Sequence, residues 1–364
     1  MTPTAPIEKI EAAAFRVPTD FPESDGTFEW SSTTMVLVRA HAAGEVGYGW
    51  TYSGAAAARL IRDSLAGVVC GRDATAIPGA WTAMAQAVRN LGRPGLCSCA
   101  IAAVDVALWD LKARLLGLPL VRLLGACREE AEIYGSGGFT SYPPDRLAAQ
   151  LGGWAALGIR QVKMKIGREP DADIDRVRIA RDAVGPEVGL MVDANGAYDR
   201  KQALAKADAF AGLGVIWFEE PVSSDDLAGL RLLRDRLPAG MEVAAGEYGY
   251  DGDYFHRMLT AGAVDVLQAD ATRCAGITGF LQAATLADRF HLPISAHTAP
   301  ALHLHPCCAV PNFRHIEYFH DHARIEAMFF DGVAAPEGGG LRPDPDRPGL
   351  GLTFREADAA HYAV

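Results

Sequence analysis

Three acidic residues in the middle of the chain recur at similar intervals, each near the end of a short apolar run. Asp193, Glu219 and Glu247 are separated by 26 and 28 residues. If the apolar runs are neighbouring strands, the three carboxylates come together, and they repel one another strongly unless a cation neutralises them. Oxygen ligands without cysteine or histidine favour a hard ion, with Mg²⁺ first and Mn²⁺ second. The spacing therefore predicts a divalent-metal site at these three residues.

Two candidate bases accompany the acids. Lys163 and Lys165 lie two positions apart, so on a strand both side chains point to the same side. Their mutual repulsion and a nearby metal are expected to lower a lysine pKa toward the range of a general base. Asp270 and His297 end successive predicted strands, so the carboxylate can orient the imidazole. Two bases on opposite sides of a metal-bound substrate suit chemistry at a carbon that loses a proton.

A repeated helix-strand unit must position these residues. From about residue 130, a helical apolar pattern precedes a short β-branched run, as in Asp145–Gly158 followed by Ile159–Lys165. Counting such runs gives eight strands, from Glu132–Tyr134 to one that ends near Glu317. Alternating helices and strands pair in parallel, and eight of them close into a barrel. We predict an α/β fold with a TIM (β/α) barrel, whose active site lies at the C-terminal strand ends.

The first 125 residues have a different pattern. Thr33–Arg39 and Glu45–Trp50 are strand-like, and Ala100–Arg114 has a helical pattern, which together indicate an α+β domain before the barrel. The tail after about residue 330 is rich in glycine and proline and too short to fold alone, so we expect it to pack back on the rest of the chain.

Composition excludes several classes of protein. The 364 residues are 49% hydrophobic and 22% charged, which is typical of a globular chain, and no apolar run is long enough to span a membrane. A formal net charge of −11 disfavours a nucleic-acid partner. Met1–Val17 has no leader-peptide pattern, and the seven scattered cysteines fit reduced thiols, so we expect a cytoplasmic protein.

The complete set of motifs resembles the enolase superfamily, and specifically its mandelate racemase subgroup. The motifs are Lys163-Met-Lys165, Asp193-Ala-Asn195, Glu219-Glu-Pro221, Gly246-Glu247, Asp270 and His297, preceded by Ala100–Arg114 and Leu118–Gly125. They occur in the family's order and spacing, and they cover nearly the whole chain.

The resemblance implies a domain organisation and a metal. It implies a capping domain over a modified barrel, with Mg²⁺ held by Asp193, Glu219 and Glu247 and bound in turn by a substrate carboxylate. We therefore expect an N-terminal α+β capping domain at 1–125, a catalytic (β/α) barrel at 126–330 and a C-terminal segment at 331–364 that packs on the capping domain. The resemblance also favours a homo-oligomer.

The resemblance further implies roles in removing the proton α to that carboxylate through a metal-stabilised enediolate. Lys165 would be one base, and His297, oriented by Asp270, would be the other acid or base. The implied contacts with the substrate and the metal are Lys163 to the substrate carboxylate, Glu317 as a hydrogen-bond donor to the enediolate, and Asn195 in support of the metal ligands.

Substrate specificity should come from two loops of the capping domain, expected near Asp20–Ser32 and Gly49–Ala55. They carry hydroxyls, acids and aromatics, including the candidate substrate-binding residues Trp30 and Tyr52. Hydrogen-bonding side chains suit a polyhydroxylated acid. We predict dehydration of an acid sugar, an aldonate or aldarate, to a 2-keto-3-deoxy acid. A racemase or epimerase of an α-hydroxy acid and a cycloisomerase of a sugar-acid lactone remain alternatives.

Two other classes compete with this hypothesis. A zinc amidohydrolase also uses a barrel, and the C-terminal region holds the histidines His303, His305, His315, His320 and His322. Zinc amidohydrolases carry a different motif, His-x-His, on the first strand of the barrel. Here the first strand reads Ile133-Tyr-Gly-Ser136. An inactive scaffold should have lost some of the lysines, acids or histidine, and none is lost.

Overall fold

A three-stranded antiparallel sheet begins the chain in this computed structural model, which describes residues 5–364. Its strands are β1 (Lys9–Ser24), β2 (Glu29–Ala42) and β3 (Glu45–Tyr52). Ala43 and Gly44 join β2 to β3 with φ of 49° and 83°, the paired positive values of a tight hairpin turn. Residues 1–4 lie outside the described residues, and they are the first residues of the segment Met1–Val17 in which the sequence shows no leader-peptide pattern.

Both faces of the sheet are covered. On β2, Met35 and Leu37 belong to the large core shared with the barrel, whereas Val36 and Val38 belong to a second core within the N-terminal region. Side chains alternate between the two faces of a strand, so the uninterrupted apolar run Met35–Val38 requires apolar surroundings on both sides.

Helices of the N-terminal region pack on the second core. They are α1 (Ala56–Leu60), a π-helical turn (Ile61–Leu65), α2 (Ala66–Val69), α3 (Ile77–Ala87), α4 (Leu96–Leu115) and α5 (Leu120–Leu124). The long helix α4 lies directly on β3. A Cβ at Gly49 would come within 2.3 Å of the Ala103 carbonyl oxygen, so this close approach requires glycine.

Eight parallel strands form a closed barrel in the described part of the chain. They are β4 (Ala131–Gly137), β5 (Gln161–Lys165), β6 (Gly189–Asp193), β7 (Val215–Glu219), β8 (Glu242–Ala245), β9 (Val266–Ala269), β10 (Ile294–Ala296) and β11 (Phe313–Phe319). Pairing of β11 with β4 closes the ring. The predicted TIM barrel with a preceding capping domain is thus confirmed.

Helices alternate with these strands on the outside. They are α6 (Pro144–Ala156), α7 (Asp173–Val184), α8 (Arg200–Gly212), α9 (Leu227–Arg234), α10 (Gly252–Thr260), α11 (Gly276–Arg289), α12 (Pro300–Ala309) and α13 (His320–Phe329). The start of α8 is a capping box, in which Asp199 accepts from the backbone and the Gln202 side chain accepts from the Asp199 N–H. Asp226 and Asp251 likewise accept from backbone N–H groups at the starts of α9 and α10.

The tail contacts both larger parts of the chain. It comprises β12 (Phe330–Asp331), β13 (Gly340–Leu341), β14 (Thr353–Phe354), α14 (Glu356–Ala359) and a 3₁₀ turn (Ala360–Tyr362). Strand β13 pairs with β4 of the barrel, and the Phe354 ring packs against Phe15 of β1. The boundaries at residues 125 and 330 stay predictions. No helix of the described residues has both the length and the apolarity that a bilayer span needs.

The two segments expected to be loops are mostly strand, which corrects that expectation. Strands β1 and β2 run together as far as Ser24 and Glu29, leaving a short turn at 25–28, and β3 extends through Tyr52. Polar composition suggested loops. Backbone hydrogen bonds between paired strands do not depend on the side chains, so the strands can stay paired in these polar segments. We call the segment 19–32 the closing hairpin.

Candidate active site

The three acids lie together at the C-terminal end of the barrel. Asp193 and Glu219 end β6 and β7, and Glu247 follows β8 by two residues. One carboxylate oxygen from each lies within 4.8 Å of the others, and the residues are at most 3% exposed. Burial and the charge of Asp193 raise the pKa of Glu219 well above its ordinary value. The acids thus repel one another, which is the situation that a bound cation would relieve.

The lysines sit beside these acids. Lys163 Nζ lies 2.6 Å from Glu219 and 3.6 Å from Asp193, and Lys165 Nζ donates a very short hydrogen bond to Asp193. Both lysines are at most 5% exposed, on the strand that pairs with β6. The strand periodicity therefore brings both ammonium groups to the barrel mouth, as expected.

Without a cation, the site raises the lysine pKa values, and the expected lowering beside a bound metal stays a prediction. Burial lowers the pKa of Lys165, but the charges of Asp193, Glu247 and Glu219 together outweigh it and raise that pKa overall. The carboxylates of Glu219 and Glu317 likewise outweigh burial and raise the pKa of Lys163. Repulsion between the two ammonium groups is weaker than the attraction of the acids around them.

The imidazole of His297 has one free nitrogen. Its Nδ1 lies 2.8 Å from Asp270, and its Nε2 faces Glu247 at 3.4 Å and Glu317 at 3.7 Å. Burial raises the pKa of Asp270, but its hydrogen bond to His297 and the nearby charges of His297 and Arg273 together outweigh this and hold that pKa well below the ordinary value. Asp270 is therefore a carboxylate that accepts from Nδ1, which directs Nε2 toward the acids.

Glu317 is held as a carboxylate. Its oxygens accept from Ser136 Oγ at 2.5 Å and from the Thr298 N–H at 3.1 Å, and Lys163 Nζ lies 2.9 Å away. Burial raises its pKa, but the charges of Lys163, His297 and Lys165 together outweigh burial and hold the pKa well below the ordinary value. The donor role that the resemblance implies requires a protonated carboxyl, so that role stays a prediction.

A cavity of about 630 Å³ lies over this cluster, between the barrel mouth and the sheet of the N-terminal region. Lys165, Glu247 and His297 form its floor. The residues with hydroxyls along its wall are Thr27, Ser32, Thr33, Thr34, Tyr52, Ser53, Tyr248 and Thr298, and further aromatic rings come from Phe28, Trp30 and Phe319. A cavity of this size suits a small molecule with both hydroxyls and a carbon skeleton.

The three expected substrate-binding side chains of the wall differ in what they can offer. Trp30 donates its indole N–H to Glu23 at 2.8 Å, and Tyr52 stacks on His322 with ring centres 3.4 Å apart. Both therefore present ring surface to the cavity. Asn195 also lines it, and the buried Asn195 Oδ1 has no hydrogen-bond partner among the described residues. Their contacts with a substrate stay predictions.

Sequence reasoning missed Arg273. Its guanidinium lines the cavity, lies 3.2 Å from Glu247 and 3.5 Å from Asp270, and so connects a candidate metal ligand to the histidine's partner. The available signal was its position three residues after Asp270, at the start of the loop that follows β9. Ser136 and Thr298 were missed as well, because nothing local marks a hydroxyl that binds a distant carboxylate.

The histidines considered for a zinc site are dispersed. His303 accepts from the Ala271 N–H, and His305 accepts from the Val121 N–H, each within buried helix α12. His315 lies lower in the barrel against Ser295. No histidine-rich ligand cluster occurs among residues 5–364, so the amidohydrolase alternative has no geometric support.

The chain matches two family models along most of its length. The mandelate racemase / muconate lactonizing enzyme N-terminal domain matches residues 9–125, and the enolase C-terminal domain-like region matches residues 146–358. The chain belongs to the mandelate racemase branch of the enolase superfamily. The enzyme therefore shares its two-part architecture with this family.

Individual relatives are similar to this chain over nearly its whole length. A mandelate racemase/muconate lactonizing enzyme-like protein from Rubrobacter xylanophilus is 57% identical, with a TM-score of 0.97 over 98% of this chain and 99% of that one. The 3,6-anhydro-alpha-L-galactonate cycloisomerase of Streptomyces coelicolor is 33% identical over 96% of this chain and 97% of its own. An L-talarate/galactarate dehydratase mutant, solved with Mg and L-glucarate, is 29% identical with a TM-score of 0.91, over 99% and 92%.

The relatives share a metal but not one reaction. They include acid-sugar dehydratases, cycloisomerases and a racemase, and some were solved with Mg²⁺. This chain carries the acidic triad of Asp193, Glu219 and Glu247 that could hold such an ion. Glu247 Oε2 is buried and has no hydrogen-bond partner among the described residues, which fits a missing cation.

Proposed function

We propose that this enzyme removes the proton α to the carboxylate of an acid sugar and dehydrates it to a 2-keto-3-deoxy acid. The observation that carries the proposal is the placement of two proton-transfer groups on either side of the acidic triad. Lys165 lies on the strand before the triad and His297 lies two strands after it, and both line the same cavity. An α-carbon between them would have a base on each face.

The triad suits Mg²⁺, since it offers only oxygens. Mg²⁺ held by Asp193, Glu219 and Glu247 would bind the substrate carboxylate and stabilise the negative charge that develops as the α-proton leaves. Lys163, buried beside Glu219, would direct a second positive charge at the same carboxylate.

The proton transfers can be assigned to atoms of this chain. Lys165 Nζ in its neutral form, which a cation on Asp193 would favour, or neutral His297 Nε2 for the opposite configuration, takes the α-proton as the C–H bond breaks. The imidazolium of His297 then gives its Nε2 proton to the β-hydroxyl, the C–O bond breaks, and water leaves. The enol product becomes the 2-keto-3-deoxy acid by tautomerisation. Asp270 holds the imidazole with Nε2 toward the cavity throughout.

The cavity wall supports a polyhydroxylated substrate. Hydroxyls from the closing hairpin, from β2 and from the segment after β3 face one space. A wall that hydrogen-bonds to several hydroxyls rejects analogues that lack them, because its own polar groups are then left unpaired.

A lactone cycloisomerase is the second candidate. The cycloisomerase of Streptomyces coelicolor aligns with 96% of this chain, more than the 85% aligned with the L-talarate/galactarate dehydratase of Salmonella typhimurium. Cycloisomerisation uses the same α-proton chemistry, but its product is an isomer of the substrate and no water is lost.

The test is incubation of the purified protein and Mg²⁺ in deuterated water with aldonates, aldarates, their lactones and α-hydroxy acids, followed by NMR. We expect a 2-keto product from an acid sugar. A product isomeric with an added lactone, formed without loss of water, would favour the cycloisomerase, and deuterium in the recovered acid or its epimer alone would favour a racemase.

Two variants test the assigned groups. Lys165→Met and His297→Asn should each abolish keto product, while Lys201→Met, at an exposed lysine on α8, should retain it. Normal turnover by both active-site variants would contradict the assignment.

A further inference from the structure

A second cluster of possible metal ligands lies outside the acidic triad, where the closing hairpin meets the barrel. The β1–β2 ladder is interrupted between Pro18 and Glu23, and the extra residues place Asp20 against the junction of β11 and α13. His320 begins α13, and its Nε2 lies 3.1 Å from Asp20 Oδ2. One ligand atom each from Asp20, Glu23 and His320 lies within 4.8 Å of the other two.

Unpartnered buried oxygens accompany this cluster. Glu23 is 0% exposed, and its Oε2 accepts from the Trp30 indole N–H, but its Oε1 has no hydrogen-bond partner among residues 5–364. Asp321, the next residue after His320, is also 0% exposed, and its Oδ2 likewise has no partner among them. Leaving a buried polar group without a partner costs about 1–3 kcal/mol, and more when it is charged. Two such oxygens in one place therefore point to a missing positive group.

The charged groups around Glu23 are compatible with a bound cation. The titratable and charged groups that face Glu23 are Asp20, Asp321, Arg146, Arg324, His320 and Tyr142. Arg146 pairs with Asp20, and Arg324 pairs with Asp321, so both guanidinium groups near Glu23 already have a carboxylate partner. Burial and the charge of Asp321 raise the pKa of Glu23 to about 9, although the charge of Arg324 acts in the opposite direction.

We propose that Asp20, Glu23 and His320 form a second divalent-cation site, which fastens the closing hairpin to the barrel. Two carboxylates with one imidazole favour Mn²⁺ or Zn²⁺ over Mg²⁺, which prefers oxygen ligands alone. The ion would lie against the two carboxylates and give the unpartnered Glu23 Oε1 a positively charged partner.

The site would act on the cavity through Trp30. Glu23 holds the Trp30 indole, and Trp30 lines the cavity. A cation on Glu23 would hold this wall of the cavity in place. The inference does not depend on which reaction the enzyme performs.

Counting bound Mn²⁺ tests the proposal. Metal-free protein is titrated with MnCl₂ at pH 8, and the free ion is measured by electron paramagnetic resonance. We expect two Mn²⁺ per chain for the wild type and one for Asp193→Asn, which impairs the acidic triad. We also expect one Mn²⁺ for His320→Ala, and none for the double variant Asp193→Asn/His320→Ala. Asp20→Asn, which is nearly isosteric, should also bind one and serves if His320→Ala does not fold. His361→Ala, at an exposed histidine in the tail, should keep two.

Each other result overturns the proposal. A single Mn²⁺ in the wild type would mean that Glu23 and Asp321 are satisfied by a proton or by water. Two Mn²⁺ retained in both His320→Ala and Asp20→Asn would place the second ion elsewhere.

Discussion

His297 can exchange protons with the cavity through Nε2 alone, because its Nδ1 is bonded to Asp270 at 2.8 Å. Asp270 is itself fixed by the Thr272 N–H at 2.7 Å. This chain of contacts sets the tautomer and the direction of one imidazole. Lys165 has no such intermediary, since its ammonium group contacts Asp193 directly. The two proposed bases should therefore respond differently to changes in their neighbours.

Replacing Asp270 by asparagine should impair only one of the two bases. The amide can donate to Nδ1 and leave Nε2 protonated, so His297 could no longer accept a proton. We expect α-proton exchange in deuterated water to fall about 10²–10⁴-fold for the substrate epimer that faces His297. Exchange of the epimer that faces Lys165 should change little.

The measurement is NMR of the α-proton signal of each epimer over time. Asp253→Asn, at an exposed position of α10, is the control and should match the wild type for both epimers. An equal loss for both epimers in Asp270→Asn would show that the carboxylate serves the whole site rather than the imidazole.

At the scale of elements, the closing hairpin joins the N-terminal sheet to the barrel. Its turn at 25–28 is organised by Asp25, whose Oδ1 accepts from the Thr27 and Phe28 N–H groups. Gly26, between them, lies directly on the barrel. A Cβ there would come within 2.3 Å of the Ala194 carbonyl oxygen and 2.7 Å of the Ile166 carbonyl oxygen. The turn can approach the strand ends this closely only without a side chain.

Gly26→Ala should weaken substrate binding more than it weakens the fold. The added methyl group meets backbone atoms that cannot move independently, so the turn must lift and carry Thr27 and Phe28 away from the cavity. We expect KM to rise about tenfold or more, which corresponds to about 1.4 kcal/mol of lost binding. The melting temperature should fall by only a few degrees.

Steady-state kinetics and thermal melts on the same samples provide the check. Gly67→Ala is the matched control, since a Cβ on α2 at that position meets nothing within 4 Å. An unchanged KM for Gly26→Ala would mean that the turn does not close over the substrate.

At the scale of the whole molecule, one buried imidazole connects three parts of the chain. His305 of α12 accepts at Nδ1 from the Val121 N–H of α5 at 3.0 Å and donates from Nε2 to the Leu350 carbonyl of the tail at 3.1 Å. A backbone N–H can only donate, so Nδ1 must carry no proton and the ring must be neutral. Burial lowers the pKa of His305 to about 4.

This histidine should make the fold sensitive to mild acid. The unfolded chain binds the proton near pH 6.5, and the folded chain binds it only near pH 4. The contribution to stability is thus fully present above pH 6.5 and is lost as the pH falls toward 4. It amounts to at most about 3 kcal/mol, from about 1.36 kcal/mol per pH unit of pKa shift.

Urea unfolding of the wild type and His305→Gln at several pH values between 4 and 7.5 measures this contribution. The glutamine can accept from Val121 and donate to Leu350 but does not titrate, so the stability difference between the two proteins should shift in its favour as the pH falls. His361→Gln should track the wild type. A difference that does not vary with pH would contradict the assignment.

Metal binding should stabilise the whole molecule. Ligands that bind only the folded state stabilise it by about 2.7 kcal/mol at a hundredfold excess over Kd. We therefore expect Mg²⁺ to raise the melting temperature of chelator-treated wild type by several degrees. Asp193→Asn should show little or no rise, and an equal rise in both proteins would place the stabilising ion outside the triad.

The local sequence predicted the barrel and much of the candidate site. The helix-strand repeat predicted the ring, and element ends agree closely, as for the helical pattern at Asp145–Gly158 and the observed helix Pro144–Ala156. Lys163 and Lys165 could be placed together because side chains alternate along a strand. The acids could be placed together because parallel strand ends meet at one edge.

The remaining features depend on contacts between distant residues. Arg273, the Ser136 contact with Glu317 and the link from Glu23 to His320 join separate elements, so no local pattern marks them. The raised lysine pKa values of the site without a cation were not foreseen for the same reason, since they depend on acids from three other strands. The sequence by itself determined the repeat, the strand alternation and the types of charged side chain at the barrel mouth. Only the tertiary structure decided their distances, burial and protonation, because these arise when distant parts of the chain exclude water from one another.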